Sequence, residues 1–256
     1  MTYFNAQGQG RVGWKSSGGG VITPSIITNG LILNLDASNS ASYPGTGTTW
    51  TDLSPTGNNG TLTNGVGYTS ANSGSLTFDG INDYVDMGNN PAYNLTNISV
   101  STWVRLTTDT PNYSPIISRY SSNINSTGTN YQGWLIYYLK TTSKFYVDGR
   151  ESSASYLQLS SNNTSPINNW YNVTWTKSGS TWSLYINGVL DKTLTLGNGT
   201  TSFQPNGMQL GGSIGWGIGD KDYGKQDIPA INIYNRALSQ GEVTQNYNTL
   251  KTRFGL

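Results

Sequence analysis

From Asn29 onward, apolar residues recur at every second position in short runs, the spacing of strands buried on one face. Leu31-Ile32-Leu33-Asn34-Leu35-Asp36 sets Leu31, Leu33 and Leu35 on one side. Ser75-Leu76-Thr77-Phe78-Asp79 and Tyr84-Val85-Asp86-Met87 are shorter runs of the same kind. Between Ile98 and Leu106, the side chains of Ile98, Val100, Val104 and Leu106 point one way. Runs from Trp170 to Trp175 and from Trp182 to Ile186 flank Lys177-Ser178-Gly179-Ser180, a hairpin signal. Asn187-Gly188 suits a type I′ turn into Val189-Leu190, and Asp148-Gly149 is expected to end a strand over Lys144 to Val147. Turn residues about every 8–15 positions predict an all-β fold, an antiparallel two-sheet sandwich.

One segment has helical spacing. Ser239-Gln240-Gly241-Glu242 is a capping box, and Val243, Tyr247, Leu250 and Phe254 then share a helix face. A short C-terminal helix lying on the sandwich follows, with Gly255 near its stop. Residues 1–28 break the pattern. Ser16-Ser17-Gly18-Gly19-Gly20 has linker composition, and Tyr3, Phe4, Val12 and Trp14 are scattered among Gly and Gln before it. The segment is either a start without fixed structure or an arm that orders on a partner; three large aromatics, Tyr3, Phe4 and Trp14, favour the arm. The expected division is an arm and linker over 1–28 and one sandwich over 29–256.

Composition narrows the chemistry. Aromatics make up 12% of the chain and charged residues only 11%, the reverse of a disordered composition. A net charge of +1 gives no basic field for nucleic acid. Histidine and cysteine are both absent, which excludes a Ser-His-Asp triad, imidazole or thiolate metal sites and disulfides. No run of about 18 apolar residues suggests a membrane span, and Met1 to Gly10 has no signal-peptide pattern.

Five motifs in order resemble a known family. Gly30-Leu31-Ile32-Leu33-Asn34-Leu35-Asp36-Ala37 looks like an opening strand, and Trp50-Thr51-Asp52-Leu53-Ser54 is followed by Gly57-Asn58-Asn59-Gly60-Thr61-Leu62. Gly74-Ser75-Leu76-Thr77-Phe78-Asp79-Gly80 with Asp83-Tyr84-Val85, Trp182 to Gly188, and Ile233 to Ser239 with Glu242-Val243 complete the set. Together they are similar to laminin-G-like, concanavalin A-like jelly-roll domains, over residues 29–256. The Asn- and Thr-rich end, Gln245 to Lys251 with Arg253-Phe254-Gly255-Leu256, resembles copies found in tailed-bacteriophage particles.

Candidate residues follow. Asp79, Asn82 and Asp83 place three oxygen-bearing side chains within five residues, as a turn bonding its own backbone or as calcium ligands. The resemblance implies calcium in loops at one end of such sandwiches, but Pro229-Ala230-Ile231 stands where it would place an acid, so no cofactor is expected beyond that calcium alternative. Gly211 to Gly219 lacks the ending of a phosphate loop and any βαβ context. It reads instead as a surface loop carrying Trp216, Asp220, Asp222 and Tyr223, either packed onto the core or holding sugars by ring stacking and carboxylate hydrogen bonds. Arg236 is expected to tie the closing strand to the helix.

Glucanase relatives of this fold need paired carboxylates, and the chain has only Glu151, without a partner at the required spacing, and Glu242, already a cap. Three functions are therefore weighed. The first is a non-enzymatic structural or decorating protein of a phage virion, in multiple copies, docked to capsid, neck or tail proteins through residues 1–28. The second is a carbohydrate-binding adhesin contacting surface glycans, and the third a glycan hydrolase. The first is the expectation, with assembly in a host cytoplasm and no nucleic-acid or membrane partner.

Overall fold

In the computed structural model, which describes residues 25–125, 128–150, 156–196, 207–214 and 221–256, the alternating runs become strands. The first are β1 (Leu31–Asp36), β2 (Thr49–Trp50), β3 (Gly60–Thr63), β4 (Gly67–Thr69), β5 (Ser75–Asp79), β6 (Tyr84–Asp86) and β7 (Ile98–Leu106). The middle of the chain gives β8 (Tyr113–Asn125), β9 (Gly128–Leu139), β10 (Lys144–Arg150), β11 (Tyr156–Ser160), β12 (Trp170–Ser178), β13 (Thr181–Ile186) and β14 (Val189–Thr195). The last are β15 (Gln209–Leu210), β16 (Gly212–Ile214), β17 (Lys221–Tyr223), β18 (Lys225–Ile228) and β19 (Ala230–Tyr234), followed by helix α1 (Gln240–Leu250).

Two antiparallel sheets face each other. One has nine strands along β14-β13-β12-β7-β18-β5-β4, with β19 and then β1 branching from β7; the other has eight in the order β11-β10-β9-β8-β15-β6-β3-β2. This is the expected jelly-roll sandwich. Leu33, Leu35, Val100, Val104, Ile136, Phe145, Val147, Val173 and Leu184 fill the space between the sheets. Trp175 stands at its centre, 5.5 Å from Trp134 and 4.9 Å from Trp182 between ring centroids. Among the described residues no helix is long and apolar enough to cross a membrane.

The structure departs from the sequence pattern at three places. Leu31 leaves the face of Leu33 and Leu35, because the β1–β19 register shifts between Leu31 and Leu33. The bulge turns Leu31 outward, into a second cluster with Tyr185, Tyr234, Leu238 and Val243 under the helix. Asp148-Gly149 is not a turn; β10 runs through it, pairing Gly149 with Trp134 of β9 and Leu157 of β11. A Cβ on Gly149 would lie 2.3 Å from Cη2 of Trp182, so this glycine serves close packing. The stretch expected as a loop over 211–223 contains the β16–β17 hairpin, in which Asp222 opposes Ser213.

Local chemistry explains the other motifs. The Asp52 carboxylate accepts the backbone N–H groups of Asn34, Ser54 and Asn58, each at 2.8 Å, together with the Ser54 and Thr56 hydroxyls. One buried acid thus ties β1 to the loop before β3. The helix carries the expected capping box on Ser239 and Glu242. Arg236 donates to both Glu242 oxygens, at 2.9 and 2.6 Å, and to the Asn29 carbonyl, which fixes the closing strand to the helix as expected. Trp103, Trp170 and Phe254 pack beneath the helix on the outer face of the nine-stranded sheet.

Attachment begins earlier than the expected boundary at residue 29. Gln245 donates to the Ser25 carbonyl, the Ile27 N–H donates to Asn246, and Ile26 and Ile27 pack against the helix cluster.

Candidate functional site

The site is built where the two sheets part beside the β13–β14 hairpin. Asn187 and Gly188 take positive φ values of 51° and 76°, as a type I′ turn requires. The hairpin end is clamped to β12 by reciprocal bonds between Asn172 and Asn187. Facing it, the loop after β11 is held down by Ser161 N–H on the Phe145 carbonyl, Ser165 N–H on the Ser143 carbonyl and the Tyr138 hydroxyl on the Ser165 carbonyl.

Between these supports lies a cleft of about 280 Å³. Asn163, Thr164 and Ser165 line it from the loop, Tyr171 from β12, Ile186 from β13, and Val189, Leu190 and Asp191 from β14. Asn162 braces its two sides: its N–H donates to Asp191 Oδ2 at 2.6 Å and its side-chain amide to the Asp191 carbonyl at 2.5 Å. The Tyr171 ring meets Phe145 edge-on at 5.5 Å and its hydroxyl donates to the Pro166 carbonyl. Burial pushes the Tyr171 phenol up, partly offset by a hydrogen bond from Asn169.

Val189 and Leu190 are 67% and 47% exposed. They are adjacent members of a set of only five exposed large apolar side chains among the described residues. Val189 lies on the Ile186 face of β14 and Leu190 on the Tyr185 face, so Val189 with the Tyr171 ring, a carboxylate, an amide and two hydroxyls makes an amphipathic seat that Leu190 borders. It offers C–H surface to pack against and acceptors and donors for hydroxyl groups.

None of the residues singled out in the sequence is among the described residues that line the cleft. Trp216 and Asp220, like Tyr3, Phe4 and Trp14, fall outside the described residues. Asp222 and Tyr223 sit on β17, with Tyr223 beside Tyr84 at 6.4 Å, and neither lines the cleft. Their hairpin crosses the outer face of the eight-stranded sheet, where Ser118 donates to the Gly212 carbonyl. The same face carries a tyrosine ladder the sequence did not reveal: Tyr113 and Tyr137 are 4.5 Å apart, and Tyr137 and Tyr146 stack at 5.1 Å. Gln158 donates there to the Tyr137 hydroxyl and the Asp148 carboxylate. Both acceptors are buried, while Tyr113 and Tyr146 are half-buried.

Asp79 and Asp83 act as turn acceptors. Asp79 Oδ1 takes the Ile81 and Asn82 N–H groups, and Asp83 Oδ2 takes the Asp79 N–H. The Asn82 carbonyl accepts from the Asn64 side chain. Burial pushes the Asp83 carboxyl above its usual range, against the pull of that backbone hydrogen bond. Asp83 Oδ1 is the single buried carboxylate oxygen here without a partner. That does not make a cradle for calcium, which takes about six to eight oxygens. Among the described residues no three His, Cys, Asp or Glu side chains gather as metal ligands.

Comparison with known proteins settles the lineage. The profile of the concanavalin A-like lectin/glucanases superfamily (laminin G type) matches residues 78–244. The chain belongs to this family. The lectin-like sandwich also recurs in solved structures. Trypanosoma rangeli sialidase, solved with the inhibitor DANA, matches at TM-score 0.59 and 16% identity, over 87% of this chain and 33% of that one. The binding domain of botulinum neurotoxin serotype D matches at TM-score 0.61 and 19% identity, over 86% and 52%. The binding domain of botulinum neurotoxin DC, solved in complex with SialylT, matches at TM-score 0.62 and 18% identity, over 87% and 52%. At these identities the likeness is one of fold. The chain spans about a third of the sialidase and about half of the toxin domains. No curated protein matches it significantly.

Proposed function

We propose that this lectin-like domain is a non-catalytic carbohydrate-binding module that seats a sugar ring in the cleft between the 161–165 loop and the start of β14. The observation that carries it is the meeting of the exposed Val189-Leu190 pair and Tyr171 with Asp191, Asn163 and Thr164 in one cleft. The apolar face of a pyranose packs on Val189 and Tyr171, with Leu190 at the rim, while its hydroxyls bond Asp191, Asn163 and Thr164. Membership of a lectin-containing superfamily supports the reading.

Absence of catalysis belongs to the same proposal. Glycosidic cleavage uses two carboxylates on either side of the bond, and among the described residues Asp191 is the lone acid lining the cleft. Other acids have structural partners: Asp36 pairs with Arg253, Asp227 with Arg105 and Glu242 with Arg236.

Glycan-array binding by the whole chain tests the seat, with Leu190→Ser and Asn163→Ala as probes on exposed positions. Binding is expected to fall about tenfold in each, roughly one lost anchor; binding that persists unchanged in both places the ligand elsewhere and overturns the site. The setting carried over from the sequence is display on a bacteriophage particle through residues 1–28. Its support is the resemblance of the C-terminal run to phage copies. Deleting residues 1–24, which spares the Ser25–Ile27 stretch bonded to the helix, is expected to leave a folded sandwich that no longer joins particles; normal incorporation overturns that setting.

A further inference from the structure

Resting on the cleft as a sugar seat, we infer its specificity: it takes neutral sugars, one ring at a time, and Asp191 turns away sugars that carry a carboxylate. Three observations support this. First, among the described residues Asp191 is the single charged side chain that lines the cleft, with no lysine or arginine beside it. Lys192, next in the chain, does not line the cleft. A sialic or uronic acid carboxylate seated there would meet a like charge with no cation to pair with, and such juxtaposition is how binding sites reject a competitor.

Second, the carboxylate cannot swing aside. Asn162 holds Oδ2 through its N–H and holds the Asp191 backbone through its amide, so the side chain and its strand are fixed together. Among the described residues Oδ1 carries no hydrogen bond, which leaves an acceptor for donors. Neutral sugar hydroxyls supply such donors; a second carboxylate supplies none at neutral pH.

Third, the space is small. About 280 Å³ lies just below the roughly 300–1,000 Å³ of pockets that enclose drug-sized ligands. A space of this size fits one terminal ring and not the interior of a polysaccharide.

The test uses the whole chain and matched probe pairs: glucose with glucuronic acid, galactose with galacturonic acid, and lactose with sialyllactose, titrated calorimetrically. The expected result is a preference of about tenfold or more for the neutral member of a pair, about 1.4 kcal/mol. Asp191→Asn keeps an oxygen for the Asn162 N–H and removes the charge; the preference should shrink to about threefold or less. Equal or tighter binding of the acidic member, still lost in Leu190→Ser, overturns the inference and leaves the sugar seat standing. If no probe binds, or binding ignores Leu190→Ser and Asn163→Ala, the seat fails and the inference with it.

Discussion

Gly149→Ala tests how tightly the two sheets are pressed together at the tryptophan cluster. Gly149 lies on the core-facing row of β10 with Phe145 and Val147. The added methyl would sit 2.3 Å from Trp182 Cη2 and 3.2 Å from Cζ2, where carbon atoms normally rest about 3.5–4.0 Å apart. Relief requires a shift of more than 1 Å, and Trp182 is fully buried with Trp175 packed on it at 4.9 Å. Overpacking of this kind costs about 1–3 kcal/mol. Against it, replacing a strand glycine by alanine recovers about 0.5–1 kcal/mol of chain entropy. With so short a contact the cost lies at the upper end, about 2–3 kcal/mol, and the net expectation is a loss of about 1–2.5 kcal/mol, or about 2–10 °C in Tm for a chain of this size. Thermal and urea unfolding of Gly149→Ala, Trp182→Phe and the double variant measures it. The smaller ring should make room for the methyl, so the double variant should lose less than the sum of the singles. A Gly149→Ala protein as stable as the parent would refute the reasoning.

Two further outcomes check the scaffold. Asp52→Ala leaves three buried backbone N–H groups without an acceptor, and at about 1–3 kcal/mol for each it should cost at least about 3 kcal/mol in urea unfolding; a loss under about 1 kcal/mol would show that water replaces the acid. Glu242→Gln removes the ion pair with Arg236 while its amide oxygen can still close the capping box, for about 0.5–1 kcal/mol given that both side chains are about a quarter exposed. The Glu242 carboxyl is held down to about 2 from an ordinary 4.5, chiefly by Arg236, so its contribution is complete above about pH 4.5 and drains away as pH falls toward 2. The difference in Tm between parent and Glu242→Gln should follow that window, and a difference constant from pH 7 to pH 2 would assign the effect to packing.

Strand existence was legible because burial on one face writes period two into the sequence, as at Ile98 to Leu106. The departures arise where a partner outside the segment decides. The bulge that turns Leu31 outward answers to its pairing with β19, 200 residues away in the chain, and to the helix that needs an apolar side chain beneath it. Asp148-Gly149 has turn composition, yet Trp182 requires the missing Cβ. The β16–β17 hairpin was hidden by its glycines, which read as loop when their cross-strand partners are unknown.

The cleft was the least legible feature, for a related reason. Its lining comes from four segments whose meeting depends on the β12–β13 register and on the loop pinned to β10. Asn163, Thr164 and Asp191 carry no motif, and Val189-Leu190 has the appearance of ordinary strand interior. One local signal was available: an Asn-Gly turn followed at once by two aliphatic residues and then Asp191-Lys192. Among the described residues β14 is the last strand of its sheet, with no strand beside its first residues on one side. Edge strands are commonly guarded by charge or by covering loops. Here Asp191 and the Asn162 brace guard the middle, while Val189 and Leu190 stay uncovered at the end. Apolar surface left open beside a guarded edge favours a small ligand over another strand: the brace already occupies the Asp191 carbonyl that an added strand would need, whereas a single sugar ring needs only the side chains.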